Sequence, residues 1–335
     1  MKKIAISMIS TMSILLILLT MALPVSAETL EVRGRIANQT LDKTYIDLST
    51  GIARWNVVNF AGLYYDMDKD IGNERLTLEQ MGLTGSSRII GKGNLTYTTN
   101  GDNNRLNVVT FGFAGNFTKA KASGLKGFEA GNMSTENGKY EIVGWKANKF
   151  IALKNKTNRL TSLAAEQNKD EIKSMIAGNT WYVGRGWQLK VLSVNADTNP
   201  KTVRVVLYKD GVKKDDKVIN QLQIYTFVQS KVRNETNVPV FLTYVSNITN
   251  ASSDIARFKY TWAIDTNVTE INTGDKVGVF RTTIADANQI ILKNTDGTIT
   301  LTRGSLIPLM GNLGIRVMDS PFLRIYPEVT YSICK

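Results

Sequence analysis

A chain of 335 residues with a formal net charge of +12, no histidine and one cysteine, Cys334, can bury one large core or two medium ones. Histidine-dependent triads, histidine-ligated zinc, haem attachment and any intrachain disulfide are excluded. Its basic residues are scattered rather than interleaved with aromatics. This argues against a nucleic-acid partner and leaves room for weak attraction to an anionic membrane surface.

Residues 1–27 read as a signal peptide. Lys2 and Lys3 form a positive start, an apolar run follows to Leu23, Pro24 breaks it, and Val25-Ser26-Ala27 offers a small-residue cleavage site. An uncleaved N-terminal anchor stays open, because about 20 apolar residues can span a bilayer. No later stretch is long and apolar enough to do so.

From Glu28 the chain is rich in Val, Ile, Tyr and Thr. Ile36, Tyr45, Ile46 and Leu48 suggest short strands. Asp66, Asp68 and Asp70 alternate like a calcium loop. Glycine is missing from the sixth position and Thr77 occupies the twelfth, so an acidic turn is expected instead. Residues 95–99 read as a strand running into an Asn100-Gly101 turn, with 108–113 as a second strand. Leu163, Ala164, Ile172, Met175 and Ile176 fall at helical spacing, with Gly178 as a stop. That stretch is a helix or a link between two β units.

Beyond Trp181, residues 187–194, 202–208, 224–228, 240–245 and 258–264 have the composition and periodicity of strands. Asp210-Gly211 is expected to close a hairpin, and the mixed charges from Lys213 to Lys217 to be solvated. Asp296-Gly297 is the next expected hairpin turn. Ile299 and Leu301, then Leu313, Ile315 and Val317, then Leu323 and Ile325 follow with period two. The class is all-β, with antiparallel sandwiches and units expected over 28–177 and 178–335.

Little in the chain carries chemistry. No acidic pair stands in an aromatic cleft, and no catalytic, cofactor-binding or metal-ligating residue is assigned. Trp145, Trp181, Trp187 and Trp262 would form either a sugar platform or core; core is the plainer reading. Nine Asn-x-Ser/Thr acceptors occur: Asn38, Asn94, Asn116, Asn132, Asn155, Asn234, Asn247, Asn250 and Asn267. Roughly five would arise by chance at this composition, so in an exported chain they are glycosylation candidates on the surface.

Several motifs together carry a resemblance. They are Asn59-Phe-Ala-Gly-Leu-Tyr-Tyr-Asp66 with Asp70 to Leu76, Gly178-Asn-Thr-Trp181 with Gly186 to Leu189, and Leu207-Tyr-Lys-Asp-Gly211 with Asp215-Asp216. Gly274-Asp-Lys-Val-Gly278, Met310-Gly-Asn312 and Leu323-Arg-Ile-Tyr-Pro327 complete the set, in order. With them the chain resembles the Methanosarcina-type archaeal S-layer domain. The resemblance implies two linked antiparallel β-sandwich subdomains forming one module. It also implies export, N-linked glycans and packing against other S-layer subunits at the cell surface, without catalysis. Familiar members carry two modules in tandem, end in a stalk and membrane helix, and are acidic. This chain shows one module, ends at Ser332-Ile-Cys-Lys335 and is basic. The expected role is a lattice tile held by its neighbours. The alternative is a secreted glycan-binding or adhesive β-sandwich, and a carboxylate-dependent hydrolase comes third.

Overall fold

The computed structural model describes residues 28–38, 46–47, 51–80, 82–83, 86–129, 138–250 and 252–333. The expected signal peptide, Tyr45, Leu48, Asn132 and Cys334 lie outside them. Among the described residues the chain is almost entirely antiparallel β-structure around two hydrophobic cores.

The first core lies between an eight-stranded sheet and a four-stranded one. Long strands Glu235–Thr249 and Ile255–Glu270 anchor the larger sheet, joined by Ile224–Val232, Arg159–Glu166, Asn148–Ala152 and Lys139–Trp145. The smaller sheet runs Thr180–Gly184, Trp187–Asn195, Thr202–Lys209, Val212–Asn220. Alternation in Trp187–Asn195 turns Trp187, Leu189 and Val191 inward. The Trp187 ring meets Phe241 at 5.9 Å and Phe227 at 6.2 Å, and its Nε1–H donates to the Ile264 carbonyl at 2.8 Å. A buried indole thus contributes area without leaving its donor unpaired.

The second core takes its strands from both ends of the described chain. One sheet runs Ile52–Trp55, Arg75–Glu79, Leu95–Asn100, Gln289–Lys293, Phe280–Ala285. The other pairs Leu306–Met310, Leu313–Val317 and Arg324–Ile333, with Glu28–Arg33 added to the last strand. Trp55, Tyr97, Leu292, Ile315 and Ile325 are buried between them.

Each core therefore draws residues from both sides of position 178, and the expected division into 28–177 and 178–335 does not separate them. The strand Lys139–Trp145 belongs to both. Tyr140 and Ile142 face the first core, while Val143 and Trp145 face the second. Its burial changes from alternating to continuous along its length, as a strand covered on both faces requires.

Four local expectations are corrected. Residues 162–176 are not helical. Residues 162–166 and 173–175 lie in strands Arg159–Glu166 and Lys173–Met175, both paired with Ile255–Glu270, with a turn between them, so the helical spacing was incidental. Val108–Gly112 is a helical turn rather than a strand, followed by the short helix Phe117–Ala122. Asn100-Gly101 is a crossing between sheets, because the strands on its two sides pair elsewhere. Asp296-Gly297 does not close a hairpin. Gln289–Lys293 pairs with Leu95–Asn100, while Ile299–Thr300 pairs with Ile89–Ile90. Asn294 shapes that turn instead, accepting from Leu95 N–H and donating to the Gly91 and Gly297 carbonyls.

Asp210-Gly211 does close its hairpin. Thr202–Lys209 pairs with Val212–Asn220, and Asp210 and Gly211 have φ of 52° and 77°. The charges from Lys213 to Lys217 lie on an edge strand of the four-stranded sheet, where they discourage pairing with a second chain.

Candidate functional site

The seam between the two cores is filled with polar groups. Asn73 and Glu74 precede strand Arg75–Glu79 and reach across to Lys139–Trp145 and the turn after it. Asn73 Nδ2 donates to the Ile142 carbonyl at 2.8 Å. The buried Glu74 carboxylate accepts from the Tyr64 N–H at 2.6 Å, the Ala147 N–H at 3.0 Å and the Tyr97 hydroxyl. Burial raises the Glu74 carboxyl above its ordinary range despite those donors. Burial, with the neighbouring Glu74 charge, pushes the Tyr97 phenol well up.

Beside it lies an ion-pair network. The Lys69 ammonium is 2.7 Å from Glu166, to which the Tyr140 hydroxyl also donates at 2.7 Å. Lys149 binds Asp66 at 2.9 Å and lies 3.7 Å from Glu166. Burial pushes the Asp66 carboxyl up, but the hydrogen bond and charge of Lys149 outweigh it, leaving Asp66 below its usual range. The acidic turn is thus tied into the seam. Asp66 N–H donates to the Ile71 carbonyl at 2.9 Å, and Tyr65 OH donates to Asp70 at 2.6 Å. Among the described residues no group of three His, Cys, Asp or Glu side chains is placed to hold a metal ion.

A third polar group sits at the hairpin Thr202–Lys209/Val212–Asn220. Lys209 is 5% exposed, and its ammonium meets Asp210 at 3.1 Å, Asp265 at 3.2 Å and the Arg185 carbonyl. It also lies 5.8 Å above the Trp187 ring.

Glu141 differs chemically. Burial first, then the charge of Asp102 on the neighbouring strand, push its carboxyl up to about 7. A carboxyl titrating there can exchange protons near neutral pH. Neither side chain lines the pocket walled by Phe128, Tyr140 and Trp262.

The glycosylation candidates divide by exposure. Asn116, Asn155, Asn234, Asn250 and Asn267 are exposed, Asn94 and Asn247 are half-buried, and Asn38 is 3% exposed. Asn116 caps the short helix, its Oδ1 accepting from the Lys119 N–H at 3.0 Å. Asn234 sits at the tip of the hairpin joining Ile224–Val232 to Glu235–Thr249. The tryptophans are core, as the plainer reading had it: Trp145, Trp187 and Trp262 are buried, and Trp181 is half-buried against the first core.

Sequence reasoning did not find the seam. Its available signal was the polar pair Asn73-Glu74 immediately before an apolar strand. The motif segments nonetheless fall on structural contacts. Residues 64–74 cross the seam, and Lys209 and Asp210 close a hairpin. Gly278 has φ 62° and lies where a Cβ would come within 1.8 Å of the Leu309 carbonyl oxygen. Pro327 packs against Gly34, where a Cβ would come within 2.6 Å.

Comparison with known proteins gives a consistent result. A family model described as S-layer protein matches residues 42–319. The major S-layer protein of Methanosarcina barkeri is 26% identical over 310 residues, covering 90% of this chain and 40% of that protein. Those of Methanosarcina acetivorans and Methanosarcina mazei are 25% and 24% identical, each over 91% of this chain and 41% of theirs. The chain thus spans about two fifths of the length of these relatives.

Proposed function

This chain belongs to the S-layer protein family, and from that premise we propose that it is a structural, non-catalytic tile of an archaeal cell-surface lattice. The observation that carries the reading is where the motif segments fall: on the seam, on tight turns and on a close backbone approach, rather than around a reactive cleft. Carboxylates in such places fix geometry, which is what a load-sharing tile needs. The test is electron cryotomography of native envelopes with the protein labelled. Label in register with a two-dimensional lattice is expected; label only in the medium, or randomly on the membrane, overturns the reading.

The tile's partners are other S-layer subunits at the cell surface. With a formal net charge of +12, part of that contact is electrostatic. Exposed charges are screened within about 8–10 Å at physiological salt. Stepwise salt extraction of envelopes should therefore release the chain before detergent does. Retention through high salt argues instead for attachment to the membrane.

N-linked glycans belong on the five exposed acceptors. An exposed acceptor lets the glycan project into solvent, and the Asn116 cap uses only the oxygen of that amide.

A further inference from the structure

A pocket of about 390 Å³ opens where strands Lys139–Trp145, Asn148–Ala152, Glu235–Thr249 and Ile255–Glu270 converge. Its volume falls within the roughly 300–1,000 Å³ of small-ligand sites. Three aromatic rings build its wall. Phe128 stands edge-on to Trp262 at 5.4 Å, and Tyr140 is tilted against Trp262 at the same distance. The Tyr140 ring is fixed at its far end by its hydrogen bond to Glu166. Buried within this wall, the Trp262 indole N–H has no hydrogen-bond partner. Such a donor costs free energy until an acceptor reaches it.

The rest of the lining is mixed: Ile151, Leu153, Val238, Pro239 and Ile264 continue the apolar wall, and polar side chains stand beside them. Asn155 and Asn237 are exposed amides on the lining, and Glu129 and Lys154 contribute charges of opposite sign. Rigid aromatic faces, neighbouring amides and mixed charge suit an uncharged ring with one apolar face and a rim of hydroxyls. We propose that this pocket binds a single uncharged pyranose residue. Its C–H face packs on the aromatic wall and its hydroxyls bond Asn155, Asn237 and, after a small rotation of the ring, the Trp262 N–H. The proposal is independent of the lattice role.

The sugar has two available sources. Asn155 is itself the acceptor of Asn155-Lys156-Thr157, so a glycan attached there begins at the lining of the pocket. A glycan from outside the chain would present the same chemistry.

The test uses the full chain made in a host without N-glycosylation. It is titrated with the methyl glycosides of glucose, galactose, mannose and N-acetylglucosamine, followed by saturation-transfer NMR and tryptophan fluorescence. Saturable binding of at least one glycoside is expected. Asn237 has φ 53°, a conformation open to glycine, so Asn237→Gly removes the amide without straining the backbone. That variant should bind about tenfold more weakly, the cost of one hydrogen bond, while melting within a few degrees of the parent. Absence of saturable binding by every glycoside overturns the proposal. So does binding that Asn237→Gly leaves unchanged and cyclohexanol displaces. Repeating the titration on natively glycosylated protein and its Thr157→Val variant, which removes the acceptor sequence but keeps the Asn155 amide, separates the sources. Binding restored only in the variant assigns the pocket to the chain's own glycan, whereas binding in both assigns it to one from outside.

Discussion

The Gly144 N–H donates to Asn73 Oδ1 at 2.7 Å, joining the segment that leads into strand Arg75–Glu79 of the second core to the strand shared by both. Gly144 is buried and has no room for more: a Cβ there would come within 2.9 Å of that same oxygen and of Glu74. The two cores are held together at this point by polar contact as well as by apolar area.

Asn73→Ala should therefore destabilise the whole unit. It leaves the buried Gly144 N–H without its side-chain acceptor and takes one donor from the Ile142 carbonyl. The expected cost is about 2–4 kcal/mol. At about 2–4 °C per kcal/mol for a chain of this size, the melting midpoint should fall by roughly 5–15 °C. A calorimetric midpoint within a degree of the parent would show that the seam contributes nothing.

Lys209→Met tests the buried ion pair. The substitution leaves Asp265 with an uncompensated charge and should cost about 3–5 kcal/mol in denaturant melts. Adding Asp265→Asn should recover more than half of that loss. Burial raises the Asp265 carboxyl, but the Lys209 hydrogen bond and the Asn267 and Thr266 N–H groups outweigh it, so its folded value lies below 3.8. Its stabilising contribution is thus present above pH 3.8 and is lost as pH falls through the folded value. Equal losses in the single and double variants would count against this account.

The sign is opposite for Glu141. Its carboxyl is raised from 4.5 to about 7 by burial and by Asp102, so the unfolded chain gives up its proton first. Folding is unpenalised below pH 4.5, becomes progressively penalised between 4.5 and 7, and stays penalised above. Glu141→Gln should raise the melting midpoint at pH 8 and have little effect at pH 4. A uniform shift across that range would mean that the side chain acts through packing alone.

Glycopeptide mass spectrometry of native protein should find occupancy concentrated at Asn116, Asn155, Asn234, Asn250 and Asn267, with Asn38 unmodified. Modification of Asn38 with none at the exposed five would contradict an ordering by exposure.

How far the sequence could be read depended on how local each signal was. The Asp210-Gly211 hairpin was legible because its flanking strands pair with each other across two residues. Asp296-Gly297 carried the same dipeptide, but pairings with Leu95–Asn100 and Ile89–Ile90 pull its flanks into different sheets. Residues 162–176 were misread because the apolar side chains of a strand partly buried on both faces imitate helical spacing. The shared strand could not have been located from its own residues, since Ile142 and Val143 are equally apolar and serve different cores. For the pocket, Trp262 was visible as a candidate platform and read as core. It is core, and it also forms a wall, because Phe128 and Tyr140 come from distant segments.

Glu28 lies opposite Ile333 and Arg33 opposite Glu328, so the two ends of the described unit lie side by side at the same end of one antiparallel pair. Tension applied between those two ends would not shear this ladder, a geometry in which all its rungs would resist at once. It would peel the pair apart from the open end, breaking one rung after another, each at low force. In a sheet under turgor, this unit would carry its load through sideways neighbours, and a pull along the chain would find its weakest direction.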